Sequence, residues 1–142
     1  MAGMEGLGRL FNVVPIAAGT LISLKDASGV TFVCTGDDTF TVKSAPSFNG
    51  GAADLTAIVR VYKNASTAGA DAWTDSGDIA AVDSVTIASG AAAFYIDSSD
   101  LPAGSDYVEV AVAAEGLVAA IVHDLAVQRG PKNLRPLSGA SS

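Results

Sequence analysis

Few residues in this chain are equipped for chemistry, and their spacing argues against most of what they could do. There is one histidine and one cysteine. His123 is followed by Asp124, but a Ser-His-Asp relay needs an imidazole that is oriented by a carboxylate and faces a nucleophile. Neighbours on a strand point to opposite faces, so Asp124 is badly placed to orient His123. A structural histidine, at a bulge or strand end with a backbone partner, is the expectation. One histidine and one cysteine cannot furnish a zinc set. Asp71, Asp75 and Asp78 lack the spacing of a calcium loop and read as a solvated acidic loop. The glycines of GMEGLG neither follow a strand nor open a helix, so they imply no phosphate cradle. Cys34 lies between Val33 and Thr35 with no basic neighbour to lower its pKa, and it reads as a small hydrophobe. No catalytic residue, metal or cofactor is therefore expected, and the chain does not read as an enzyme.

The elements around these residues are strands. In GVTFVCTG, Val30, Phe32 and Cys34 share one face, and in TFTVKSA Phe40 and Val42 do the same, because side chains alternate along an extended backbone. Gly36-Asp37-Asp38 between them reads as a hairpin turn. LTAIVRVYKN places Val59 and Val61 inward and Arg60 outward. DSVTIASG and AAAFYID form a pair turning at Ser89-Gly90. In YVEVAVAA, Val108, Val110 and Val112 oppose Tyr107, Glu109, Ala111 and Ala113. LFNVVPI is an edge piece, since Pro15 cannot donate to a ladder, and Ala65–Ala81 is a long loop with one short strand around Trp73. Leu117, Val118, Ile121, Val122 and Leu125 also make a helical stripe. Strand is preferred there because Gly116 is a natural turn and β-branched residues are frequent. The whole predicts an all-β, antiparallel, immunoglobulin-like β-sandwich of about eight or nine short strands over 10–129. A flexible arm (1–9) precedes it and a tail (130–142) follows.

Composition narrows the function. Alanine accounts for 26 of 142 residues and charged residues for only 16%, against about 25% in ordinary globular chains. A surface so weakly charged is poor at keeping a free monomer dispersed, which suggests that neighbours cover part of it. The net charge is −7, with 14 acids against four bases from Leu10 to Gln128 and a basic tail carrying Arg129, Lys132 and Arg135. An acidic body repels phosphate, so nucleic acid is not an expected partner. No apolar run reaches the length of a membrane span or a signal peptide. Maturation in a reducing cytoplasm is expected, and Asn64-Ala65-Ser66 is an accidental glycosylation pattern.

The run DLPAGSDYVEVAVAAEG enters its strand through Leu101, Pro102 and Gly104, ahead of Tyr107. Leu101-x-x-Gly104-x-x-Tyr107 resembles the tyrosine corner of immunoglobulin- and fibronectin-type sandwiches, which implies a structural role in which the Tyr107 hydroxyl bonds back to the backbone near Leu101. More widely, the ordered set RLFNVVPI, VTFVCTGDDTFTV, VYKNASTAGADAWT, DLPAGSDYVEVAV and LVAAIVHDLAVQR resembles capsid decoration proteins of tailed phages that infect actinobacteria.

That resemblance implies a β-rich subunit on the outside of the virion head, bound to the major capsid protein and stabilising the shell. It also implies trimers at three-fold positions or monomers at hexamer centres, and a homo-oligomer, with a trimer favoured, is expected. It transfers no functional residue. The contact residues expected from this sequence are Met4, Leu7 and Arg9 in the arm with Leu10 just after it, and Lys132 and Arg135 in the tail with Arg129 just before it. Trp73 is either a plug for the open end of the core or an anchor into a neighbour. Burying three apolar side chains does not offset the ordering of nine residues. Such an arm orders only when a partner also supplies backbone hydrogen bonds, and linking several arms raises avidity. Alternatives are a tail-tube, head-completion or major shell subunit, or an immunoglobulin-like carbohydrate- or surface-binding module. The aromatic content of 6% leaves the last short of exposed rings.

Overall fold

The computed structural model describes residues 19–24, 27–47, 51–66 and 72–123, together with the backbone of 11–14. Eleven antiparallel strands are named within them, and they form two stacked sheets. In chain order they are β1 (Phe11–Val14), β2 (Ile22–Ser23), β3 (Gly29–Thr35), β4 (Asp38–Ala45), β5 (Ala53–Asp54), β6 (Tyr62–Asn64), β7 (Thr74–Asp75), β8 (Ser84–Ile87), β9 (Ala91–Asp97), β10 (Tyr107–Val112) and β11 (Leu117–His123). The first sheet runs β1-β11-β3-β9-β6-β7, and the second runs β2-β10-β4-β5, with β8 also on β4. The count exceeds the expected eight or nine because β2, β5 and β7 are two-residue pieces, too short to leave a period in the sequence.

The core is where alternation put it. Val30, Phe32 and Cys34 of β3, Phe40 and Val42 of β4, and Val108 and Val110 of β10 are fully buried. Phe32 meets Phe94 from the neighbouring strand at 5.8 Å between ring centroids, in a tilted pair. Burial pushes the Cys34 thiol up to about 12, in keeping with a small hydrophobe. The stretch from Leu117 to His123 is a strand and not a helix, and among the described residues β1 is an edge strand. Leu125 lies outside the described residues.

The expected turns are corrected. β3 and β4, β8 and β9, and β10 and β11 are not hairpin partners, since each pair is split between the two sheets. Their connections are arches that carry the chain across the sandwich. All three arches sit at one end, and the Asp38 carboxylate gathers two of them. Oδ2 accepts from the N–H of Gly116 at 2.7 Å and of Ala114 at 2.9 Å. Oδ1 accepts from Thr39 at 2.7 Å and Ala113 at 3.1 Å. The third arch joins through the Gly36 N–H, which donates to the Gly90 carbonyl at 3.3 Å. Those N–H bonds, that of Gly116 foremost, hold the Asp38 carboxyl below the ordinary carboxylate range.

Residues 55–64 also depart from the expected strand. Leu55, Ala57, Ile58 and Val61 are buried while Val59 and Arg60 are exposed. Here the chain passes from the second sheet to the first, and its ladder is irregular. Ile58 bridges Val82, the Val59 carbonyl accepts from Ile79, and Val61 exchanges bonds with Ser76. That stagger breaks the period of two and turns Val59 outward.

Candidate functional site

At the end of the sandwich opposite the arches, register brings four strands level. Phe11 is the Cα partner of His123, His123 of Gly29, and Gly29 of Asp97. The chain therefore enters β1 and leaves β11 at one pole. The arm residues Met4, Leu7, Arg9 and Leu10 and the tail residues Arg129, Lys132 and Arg135 lie outside the described residues. They belong to the two segments joined to that pole.

The corner residues are at the same pole. Ser105 N–H donates to the Pro102 carbonyl at 2.9 Å, with Gly104 at φ +85, the left-handed value that a type II turn requires at this position. Leu101 packs on the core, and the Asp106 carbonyl accepts from Leu24. Among the described residues, Tyr107 makes no hydroxyl bond to this loop. Val108 and Val110 face the core, so Tyr107 stands on the outer side of β10. The corner is held by its own backbone instead.

His123 shares the pole. Its Nε2 lies 2.7 Å from the Thr31 hydroxyl, and its ring is 5.8 Å from that of Tyr95. The partner is thus a side chain where a backbone group was expected. Tyr95 lies over Gly29, where a Cβ would collide with its ring. Together these side chains form a packed cluster at the pole. Among the described residues, no group of three or more His, Cys, Asp or Glu is placed to hold a metal ion, and no helix is long and apolar enough to cross a membrane.

The outer faces of the two sheets differ sharply. That of the second sheet is polar, with Thr39 and Thr86 hydroxyls 3.0 Å apart and Lys43 paired to Asp54 at 2.8 Å. That pairing holds the Lys43 ammonium above its ordinary range. On the first sheet, the outward residues of β11, β3 and β9 include Leu117, Ala119, Ile121, Thr31, Val33, Ala93 and Tyr95. They include one carboxylate, Asp97, at the pole.

Beyond β9 this weakly charged face becomes aromatic. Tyr62 is the partner of Ala93 on one side and Asp75 on the other. Tyr95 lies two residues from Ala93, and Trp73 lies two residues from Asp75 in the opposite sense. Side chains two apart along a strand share a face, so Tyr95 lies diagonally from Tyr62, and Trp73, one residue before β7, continues the line on the extension of that strand. Diagonal neighbours of this kind are about 7–8 Å apart. Trp73 is therefore no plug for the core: half of it is exposed.

Beside the diagonal, Val59, Arg60, Tyr62, Asp78 and Tyr95 line an open groove of ≈ 300 Å³. Arg60 is clamped between Asp75 at 3.4 Å and Asp78 at 3.1 Å. A hydrogen bond with Tyr62, followed by the two carboxylates, raises the guanidinium's pKa. Asp75 and Asp78 are thus ion-pair partners and not merely solvated; Asp71 lies outside the described residues. Sequence reasoning singled out Trp73 but missed its companions. The irregular ladder at 58–61 that sets the groove leaves no periodic trace.

No protein family matches the chain, and no curated protein matches it. A similar solved structure is the crystal structure of the SPBc2 prophage-derived protein YomS. It is 14% identical, with a TM-score of 0.42, over 79% of this chain and 91% of that one.

Proposed function

We propose that this protein is a decoration subunit of a tailed-phage head. It binds the major capsid protein from the outside of the shell and acts as a homo-oligomer, favoured as a trimer. The observation that carries the reading is the pairing of Phe11 with His123. It joins an apolar arm and a basic tail to a single pole, where both can engage one partner surface. Three further features support it. Among the described residues β1 is the last strand of its sheet, so a partner's chain can extend the sheet there by backbone hydrogen bonds. A tail bearing Arg129, Lys132 and Arg135 on an acidic body is attracted to an acidic shell while the body is held off. The uncharged outer face of β11 and β3 suits contact between copies. The protein is made in the host cytoplasm and ends on the virion exterior.

The test is co-sedimentation with mature, empty heads. The full chain should bind saturably, and deleting residues 1–9 or 130–142 should each weaken binding at least tenfold, since two tethered contacts reinforce each other by effective concentration. Binding that ignores both deletions would remove the pole from the account. Spontaneous assembly of the pure protein into tubes or rings would point instead to a tail-tube, head-completion or major shell subunit.

A further inference from the structure

We infer that the aromatic diagonal of Tyr95, Tyr62 and Trp73, with the Arg60–Asp78 pair beside it, binds a neutral polysaccharide chain through stacking of its sugar rings. Three of the four tyrosine and tryptophan residues of the chain lie on this line, and they are 41%, 39% and 49% exposed respectively. A large ring left in water on a rigid sheet is a ready contact surface, because aromatic side chains give much area for little conformational entropy. The apolar C–H face of a pyranose ring matches the flat, electron-rich face of such a side chain. Three platforms in a row on neighbouring strands suit a linear oligomer.

The polar groups choose among ligands. Arg60 offers only donors and Asp78 only acceptors, and they sit 3.1 Å apart. Vicinal hydroxyls, each both donor and acceptor, satisfy such a pair together. An anionic ligand is disfavoured, because two carboxylates already compensate the Arg60 guanidinium in a body that is acidic overall. A proline-rich peptide presents carbonyl acceptors, which the Asp78 carboxylate repels. A second copy packed on this face with its two-fold axis through the groove would bring Asp75 and Asp78 close to their own kind. The groove is open, as an extended chain requires, and among the described residues the line ends at β7, the last strand of its sheet. Tyr62 and Trp73 lie toward the opposite edge of the sheet from β1, and Tyr95 alone reaches the pole, where it packs against His123.

The chain's single tryptophan is on the line, so its fluorescence reports occupancy directly. The full-length protein is titrated with cellohexaose, maltohexaose, chitohexaose and, in a separate arm, a proline-rich decapeptide, each to about 10 mM, a range that covers weak single-site affinities. At least one hexasaccharide should give a saturable change in Trp73 emission. Amide shifts confined to β6, β7 and β9 should accompany it in an NMR titration. Tyr62→Ala and Arg60→Ala should each weaken it at least tenfold, whereas Thr41→Ala on the other sheet leaves it unchanged. Tyr95 also covers Gly29, so Tyr95→Ala is read only alongside a thermal melt, and Tyr62→Ala carries the test. Silence with all three sugars, an unaltered response in Tyr62→Ala, or saturation by the peptide alone overturns the proposal. None of these results bears on head binding through the pole, and the loss of head binding leaves this site standing.

Discussion

Replacing Gly116 with alanine tests how tightly the three arches are packed. A Cβ at this position would lie 2.5 Å from Cζ and 2.6 Å from Cε1 of Phe40, and 3.0 Å from Cβ of Asp38. Phe40 is fully buried, so its ring cannot swing into solvent. The added methyl must displace either the ring or the Gly116 N–H that bonds to Asp38 at 2.7 Å. Overpacking of a close-packed interior costs about 1–3 kcal/mol. An unfolding entropy of about 2.1 cal/mol/K per residue gives roughly 300 cal/mol/K for a chain of this length, so that cost lowers Tm by about 3–10 °C. The assay is calorimetry paired with urea unfolding, with Gly51→Ala as the control, since nothing lies within 4 Å of a Cβ there. The control should be neutral or slightly stabilising. Because the clash is with the far end of the Phe40 ring, Phe40→Leu should relieve it. The double variant should be more stable than the two single losses predict, by about 0.5–3 kcal/mol of coupling. A Gly116→Ala melt within a degree of the parent, or strictly additive losses in the cycle, would refute the packing argument.

Two more outcomes follow from the interior, besides the deletion and titration experiments above. Asp38 has a folded pKa below its ordinary value. Its stabilising contribution is therefore complete above the ordinary carboxylate range near pH 4 and is lost as pH falls through that range toward the folded value. Asp38→Asn should be less stable at pH 7 and show a flatter acid limb in chemical denaturation; a parallel limb would sink the assignment. Cys34, buried and with its thiol pushed up to about 12, should resist a thiol-specific disulfide reagent at pH 8 until the protein unfolds. Labelling faster than global unfolding, measured by mass spectrometry, would contradict that burial.

The inward set of β3, β4, β9 and β10 was legible because alternation reports which face of a strand is buried. It does not report which strand lies alongside. A three-residue turn over Gly36–Asp38 would place Phe32 level with Val42, and a two-residue turn at Ser89-Gly90 would place Val85 level with Phe94. Each hairpin would be as consistent with the pattern as the arch that forms. What decides the matter is Asp38, whose bonds reach to Gly116, and a carboxylate at a strand start carries no mark of partners so distant in sequence. The aromatic line was hidden for a related reason. Tyr62, Trp73 and Tyr95 come from three separate segments, so composition alone suggested too few rings, and only register sets them on one diagonal.

Save for β4 to β5 and β6 to β7, each strand hands the chain to the opposite sheet. Successive strands are therefore stacked through side chains and seldom laced by hydrogen bonds. Only the two-residue ladders of β4 with β5 and of β6 with β7 can form as ribbons from a local loop, because the neighbours every other strand needs are encoded far away. Both layers must come together in one step. Such a topology favours slow, all-or-none folding and gives a finished unit with no half that can peel off alone.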